Sequence, residues 1–440
     1  MTERAPASEA RERSGDRRGP VSERVGGSGG AKPPGMTMRP IRDTISLDEA
    51  LATILEAAAP IARTERVPLR DAGGRVIATP PAASMDVPPF DRAAMDGYAV
   101  RAEDTFGAGR YDPKVLRAIE KVHTAEIATR AVGPGECIQI ATGAPMPEGA
   151  NAVVMVEETE RIAGSDDVRI LTPVYPRQHV GRRAADITAG QAVLQAGEIL
   201  NPSRIGALAA VGTVDVEVYA RPRIAILSTG NEIIEPGQPL GPGQIYDINR
   251  FTLSAIITAH GGVPVILPTA QDTIEALSAA IDSALAEDVL VFSGGSSVGE
   301  RDLILDVLMK RGEVIFHGVA VKPGKPTVFG HVDGKPVLGM PGYPTSCLSN
   351  GYMLLVPMLR RMARLPEYRP QIVRVPLARR IVSTTGRHQF YTVRIVEGAA
   401  VPAFKASGDI TSMAHADGYL EIPAQVDIVE AGELVDVKLF

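Results

Sequence analysis

The spacing of apolar residues changes several times along the chain, and each change predicts a different kind of element. Ala50, Leu51, Ile54 and Leu55 recur at helical intervals behind Ser46-Leu-Asp-Glu49, a capping-box pattern, and Pro60 closes the run, so an amphipathic helix is predicted here. Over residues 85–180 the apolar runs are short, alternate with polar residues and are broken by Gly and Pro, which predicts a small β domain. Within it, Asp96-Gly97 reads as a hairpin turn, because both residue types tolerate positive φ. Residues from Ile140 read as a strand, a Gly/Pro-rich loop and another strand from Ala152 to Val156. Ser203 is placed to cap a second helix carrying Ile205, Leu208 and Val211 and ending at Gly212.

From Arg223 the pattern becomes strand and helix in alternation. Apolar runs at 224–227, 263–267 and 289–292 have few polar interruptions, as strands buried on both faces do. Helical spacing covers 251–260, stopped by Gly261-Gly262, and Ile274, Leu277, Ile281 and Leu285 behind Asp272-Thr-Ile-Glu275. A further strand and loop at 336–347 leads into a long helix through Leu354 and Leu359, with Pro357 a kink point. Residues 370–440 return to period-two alternation. The prediction is a multidomain α/β plus β protein: a doubly wound, parallel α/β domain at 223–369 and a C-terminal β-barrel or sandwich at 370–440. An elongated helical/β domain would form from 39–84 and 181–222, with 85–180 inserted between its halves.

The bulk numbers narrow the class. A chain of 440 residues is long enough for about three domains. Residues 1–38 hold almost no large apolar side chains and read as a disordered tail without a secretory h-region. The net charge of −6 argues against a nucleic-acid or membrane surface and leaves anion binding to local clusters. No apolar run approaches a membrane span. Two cysteines, Cys137 and Cys347, make neither a disulfide framework nor a metal box, which fits a reducing, cytoplasmic setting.

Candidate chemistry gathers at the carboxyl ends of the predicted parallel strands. Gly294-Gly295 let the backbone approach a ligand, the N–H groups of Ser296 and Ser297 suit an anion nest, and Asp302 adds a hard oxygen ligand, a combination suited to phosphate and magnesium. Lys322-Pro-Gly-Lys325-Pro holds two ammonium groups on a stiff loop, which is either a solvated turn or an anion site. Right-handed crossovers would bring Glu232, Asp247 and Asp302 to the same edge as these lysines. Thr142 either offers a hydroxyl to a ligand or caps its turn. Arg182 and Arg183, followed by Asp186, form either a solvated salt-bridge turn or a phosphate clamp. Cys347 is read as a small core residue at a helix start in preference to a nucleophile.

Together these segments resemble one family, the molybdopterin molybdenumtransferases that include bacterial MoeA and the gephyrin E domain. The resemblance spans roughly residues 40–440 and rests on Met95-Asp-Gly-Tyr-Ala99, Thr142-Gly-Ala-Pro145, Ser228-Thr-Gly-Asn-Glu232, Asp247 with Asn249-Arg250, Ser293-Gly-Gly295, Val298-Gly-Glu300, Lys322-Pro-Gly-Lys325-Pro and Pro341-Gly342. It implies insertion of molybdenum from molybdate into adenylyl-molybdopterin, with release of AMP. It also implies Mg2+ as cofactor and a homodimer in which 85–180 face the partner's site, with other proteins of the cofactor pathway as further partners. By motif, Ser297, Lys322, Lys325, Ser346, Arg387 and Ser407 would meet the oxyanions of molybdate and phosphate, and Asp302, Glu232 and Asp247 would hold the metal. Asp96, Thr142 and Asp186 match positions important for activity.

Three departures stand out. The family commonly has Pro-Gly-Asn-Pro-Val-Ser where this chain has Pro341-Gly-Tyr343-Pro-Thr345-Ser346, Val where it has Ser296, and Gly-Glu-Asp where it has Ala184-Ala185-Asp186. Tyr343 replaces an amide with a bulkier ring and one hydroxyl, which opens the choice between molybdate and tungstate. Competing readings are the pathway's molybdopterin adenylyltransferase, a non-catalytic scaffold that binds partner peptides, and a molybdate store or sensor.

Overall fold

The computed structural model describes residues 43–294, 303–404, 406 and 408–440. Its centre is a six-stranded sheet in the order 263–266, 223–228, 289–293, 335–340, 328–332, 312–317. In Arg223–Ser228 and Val289–Ser293 successive side chains go to opposite faces, and both faces are buried. Ile224, Ile226, Val289 and Val291 pack with Leu253, Ile256 and Ile257 of helix Asn249–Ala259, while Ala225, Leu227, Leu290 and Phe292 pack with Leu277, Ile281, Ile304 and Val307 of helices Ile274–Ala284 and Leu303–Arg311. Neither face of such strands can meet water, so helices cover both.

The first four strands in that order are parallel, as read from the sequence, but Val328–Val332 and Gly312–His317 join antiparallel. These two were not legible as strands. Gly312–His317 is an edge strand with exposed Glu313 and Ile315, and Val328–Val332 is interrupted by Gly330 and His331, so neither presents a continuous apolar run.

The first helix, Leu47–Ala57, has the capping box in both directions: Glu49 N–H donates to Ser46 Oγ at 3.2 Å and Ser46 N–H to Glu49 Oε2 at 2.9 Å. Its apolar face, through Ala50 and Ile54, packs into the α/β core. Strand Thr64–Pro68 then pairs antiparallel with Asp215–Tyr219, and the bridges Val76↔Ile199, Ala82↔Ala192 and Val87↔Ile187 join the outgoing and returning chain between them. Arg63 ties this arm to the sheet, donating to both oxygens of Asp288 at 2.6 Å. The helix Pro202–Ala210 is capped by Asn201, not Ser203: Asn201 is extended and its side chain accepts from Arg204 N–H, while Pro202 takes the first helical position. One residue later than the Asp272 pattern suggested, Thr273 caps Ile274–Ala284.

The intervening segment forms a six-stranded sheet in the order 152–155, 97–100, 136–140, 114–122, 167–170, 159–161. Asp96-Gly97 is not a hairpin turn. Gly97 opens the strand Gly97–Val100 between two neighbours, and a Cβ there would lie 1.9 Å from Val154 O, so close approach of the adjacent strand selects glycine. Ala184 has φ +57°, a region that L residues occupy at a cost of about 1–2 kcal/mol. Ala184→Gly is therefore expected to stabilise the protein by about 0.5–1 kcal/mol in chemical denaturation, after allowing for the greater backbone freedom of glycine when unfolded.

The C-terminal sheet runs 321–322, 388–396, 418–422, 434–439, 372–376, so its first strand, Val321–Lys322, comes from the lysine loop of the α/β unit. The long helix expected after residue 343 exists in three parts, Pro344–Asn350, a π segment Gly351–Leu355 and Val356–Met362. The irregularity at Pro357 thus takes the form of a π segment. Among the described residues no helix is long and apolar enough to cross a membrane.

Candidate functional site

The chain leaves strand Arg223–Ser228 for a strand on one side of it, Val263–Ile266, and later returns to the other side as Val289–Ser293. That reversal opens a crevice at the carboxyl ends of the strands, the usual ligand position in such sheets. A cleft of about 310 Å³ occupies it, lined by Ser228, Thr229, Glu232, Asp247, Asn249, Ser293, Gly294, Gly342 and Tyr343 among others. Asn249 closes its floor, donating from Nδ2 to Ser293 Oγ at 2.6 Å and to Gly342 O at 2.8 Å. Asn249 Oδ1, Ser228 Oγ and Thr229 Oγ1 are buried and have no hydrogen-bond partner among the described residues. An unsatisfied buried polar atom costs about 1–3 kcal/mol, so three of them beside one cleft mark a place prepared for a polar ligand.

The carboxylates of the cleft differ in what they already do. Asp247 is buried, and both of its oxygens are engaged: Oδ2 accepts from Arg250 Nε at 2.7 Å and Oδ1 from Arg250 N–H at 3.1 Å. Arg250 also donates to Thr269 Oγ1 at 2.7 Å and lies 3.6 Å from Glu235. Glu232 is exposed at the lip. Desolvation of the Asp272 carboxyl and, after it, the charge of Glu232 raise that group above its ordinary value. Among the described residues no group of three His, Cys, Asp or Glu side chains could hold a metal ion. Asp302, Ser297 and Ser407 lie outside the described residues. Cys347 is fully buried, and burial pushes its thiol up to about 12, so it serves as a core residue without a thiolate to offer.

The lysine loop does not line this cleft. It lies where the α/β unit meets the C-terminal sheet, with Val321 opposite His388 and Lys322 opposite Gln389. Lys322 Nζ donates to Thr384 Oγ1 at 2.7 Å. Asn350 holds the loop from below, donating to Gly324 O at 2.9 Å and Thr327 Oγ1 at 2.6 Å. Lys325 and Arg387 are half-buried, and Ser346 is buried in the first turn of Pro344–Asn350. The lysine loop thus lies against the C-terminal sheet, apart from the hydroxyl-lined cleft at the edge of the α/β sheet.

A third group sits in the inserted domain. Thr142 donates to Asp96 Oδ1 from its N–H at 2.7 Å and from its hydroxyl at 3.1 Å, and these bonds hold the exposed Asp96 carboxyl below its ordinary value. Neither residue lines the cleft of the same chain. Asp186 is exposed, with its N–H donating to Val87 O. Arg183 is held by Asp86, Nε to Oδ2 at 2.6 Å, and by Asp91 through its backbone, while Arg182 is exposed. The unpartnered atoms of Ser228, Thr229 and Asn249 were not singled out from the sequence as ligand groups. The available signal was the change from apolar to hydroxyl residues at a strand's carboxyl end.

Known proteins share this arrangement along almost the whole described chain. Residues 45–212 match the MoeA N-terminal region (domain I and II), 225–361 the probable molybdopterin binding domain, and 374–440 the MoeA C-terminal region (domain IV). Molybdopterin molybdenumtransferase 2 of Mycobacterium tuberculosis is 36% identical over 398 residues, covering 88% of this chain and 96% of the relative. Molybdopterin molybdenumtransferase of Nostoc sp. is 32% identical over 408 residues, covering 90% and 92% respectively. A crystal structure titled as the molybdopterin biosynthesis MoeA protein of Pyrococcus horikosii superposes with a TM-score of 0.78 at 41% identity, covering 90% of this chain and 99% of that one. With the three family regions in order and relatives matched over nearly their full length, this chain belongs to the molybdopterin molybdenumtransferase family of molybdenum cofactor biosynthesis.

Proposed function

We propose that this enzyme inserts molybdenum from molybdate into the dithiolene of adenylyl-molybdopterin and releases AMP in a magnesium-dependent step. The observation that carries the reading is the crevice at the sheet's reversal point, where Ser228 Oγ, Thr229 Oγ1 and Asn249 Oδ1 are buried without partners among the described residues. Such groups suit the many donors and acceptors of a pterin nucleotide. Molybdate is a tetrahedral dianion, and Lys322, Lys325, Arg387 and Ser346, with Ser297 and Ser407, supply cations and hydroxyls of the type that binds it. Magnesium takes one or two carboxylates and completes its shell with phosphate oxygens and water. Glu232 at the lip of the cleft fits that need, together with Asp302. Asp247, already bound to Arg250, would share the ion only through the oxygen lone pairs that remain.

Asp96, Thr142 and Asp186 lie outside the cleft of their own chain, which supports a homodimer in which the inserted domain faces the partner's site. Two buried, unpaired cysteines accord with a cytoplasmic enzyme. The test is AMP release from adenylyl-molybdopterin with magnesium, with and without molybdate. Molybdate-dependent AMP is expected, and oxyanion or peptide binding without AMP release overturns the reading.

A further inference from the structure

We infer that Tyr343 is a stacking platform for the planar heteroaromatic ring of the bound nucleotide, either its pterin or its adenine, a role that rests on the function proposed above. Tyr343 lines the cleft and is 67% exposed. An aromatic ring left open to water beside a ligand crevice gains most when another flat surface covers it.

Its surroundings favour that use. The backbone of Tyr343 is fixed, since its carbonyl accepts from Cys347 N–H at 2.9 Å at the start of helix Pro344–Asn350. A Cβ built on Gly408 would lie 3.8 Å from Tyr343 Cδ1 and 3.9 Å from Cε1, so at this position of the C-terminal domain glycine stands beside the ring without a side chain to cover it. Thr345 Oγ1 also reaches Asp409 O at 3.4 Å, which draws the two segments together beside the ring. The independent pointer to a ligand is the adjacent set of unpartnered buried atoms, Ser228 Oγ, Thr229 Oγ1 and Asn249 Oδ1, in the same cleft. Those atoms supply hydrogen bonds at the ring's polar edge and Tyr343 supplies the face.

Position 343 is also the N-cap of its helix, extended at φ −66° and ψ 129°, yet the tyrosine makes no side-chain cap bond. Asn at this position would cap the helix, so the tyrosine gives up a local stabilisation that asparagine would provide. This separates the two roles experimentally. Tyr343→Phe, Tyr343→Leu and Tyr343→Asn are compared by calorimetric titration with AMP and, separately, with molybdopterin that carries no AMP. Stacking predicts wild-type affinity in Tyr343→Phe and a loss of about tenfold in Tyr343→Leu and Tyr343→Asn for the probe whose ring stacks, with the other probe unchanged. The same Tyr343→Asn variant is expected to be at least as stable as wild type in denaturation, so a loss of affinity cannot be a folding defect. Equal binding of both probes by all variants overturns the inference, as does a loss in Tyr343→Phe as large as that in Tyr343→Asn. Wild-type AMP release from adenylyl-molybdopterin is measured alongside: its absence defeats the proposed function, whereas normal release with unchanged variant affinities defeats only the role of Tyr343.

Discussion

Lys322→Gln is expected to lower AMP release about a hundredfold while leaving the fold intact. The side chain is half-buried at the junction of the α/β unit and the C-terminal sheet, its Nζ donates to Thr384 Oγ1, and it has no carboxylate partner among the described residues. A cation held in that position without a counter-charge among the described residues is preorganised for an anion, and removing one such group from a catalytic site typically costs about 10²–10³ in rate. The backbone pairing of Lys322 with Gln389 does not depend on the side chain, so stability is expected to change little. Single-turnover AMP release over a range of molybdate concentrations checks the prediction. A Lys322→Gln enzyme with wild-type turnover and molybdate dependence would show that the loop is a solvated structural turn.

Asp247→Ala is expected to cost about 3–5 kcal/mol of stability, the largest loss predicted for any single site here. The substitution leaves the Arg250 guanidinium buried with only Thr269 and the more distant Glu235, and it removes the acceptor for Arg250 N–H in the first turn of Asn249–Ala259. That helix also carries Asn249, so the floor of the cleft should loosen with it. Chemical denaturation with and without magnesium separates the two roles open to this carboxylate. A loss of the same size in both conditions identifies Asp247 as the partner of Arg250. A loss seen only with magnesium present identifies it as principally a metal ligand.

The sequence revealed most about elements whose burial is extreme. Ile224, Ala225, Ile226 and Leu227 are apolar on both faces, and the resulting unbroken run is what a doubly covered strand requires. The capping box at Ser46 was equally plain, because four consecutive residues carry the whole signal. At the second helix the sequence pointed to the wrong cap: Asn201, not Ser203, caps it, because Pro202 takes the first helical position. The edge strand Gly312–His317 was hidden by its exposed side chains. The two-residue strand Val321–Lys322 was beyond local pattern altogether, since only the fold brings it to His388–Val396.

The candidate site divides in the same way. The paired lysines and the glycine-opened strand end were visible as residue types, but the lysines were expected at the cleft edge, whereas their loop lies where the α/β unit meets the C-terminal sheet. Which polar atoms remain without partners was not visible, because that depends on contacts distant in sequence, such as Asn249 with Ser293 and Gly342. Nor did the sequence separate Asp247, committed to Arg250, from Glu232, exposed at the lip. Both are acids near the same loops, and only their neighbours distinguish them.

The most direct test of the account is whether molybdenum itself moves. The enzyme is supplied with adenylyl-molybdopterin, magnesium and molybdate, and the product is assayed both for AMP and for molybdenum held on the dithiolene. The account predicts that the two appear together and that omitting molybdate abolishes both. Molybdate bound to the protein, with no AMP released and no metal in the pterin product, would contradict it.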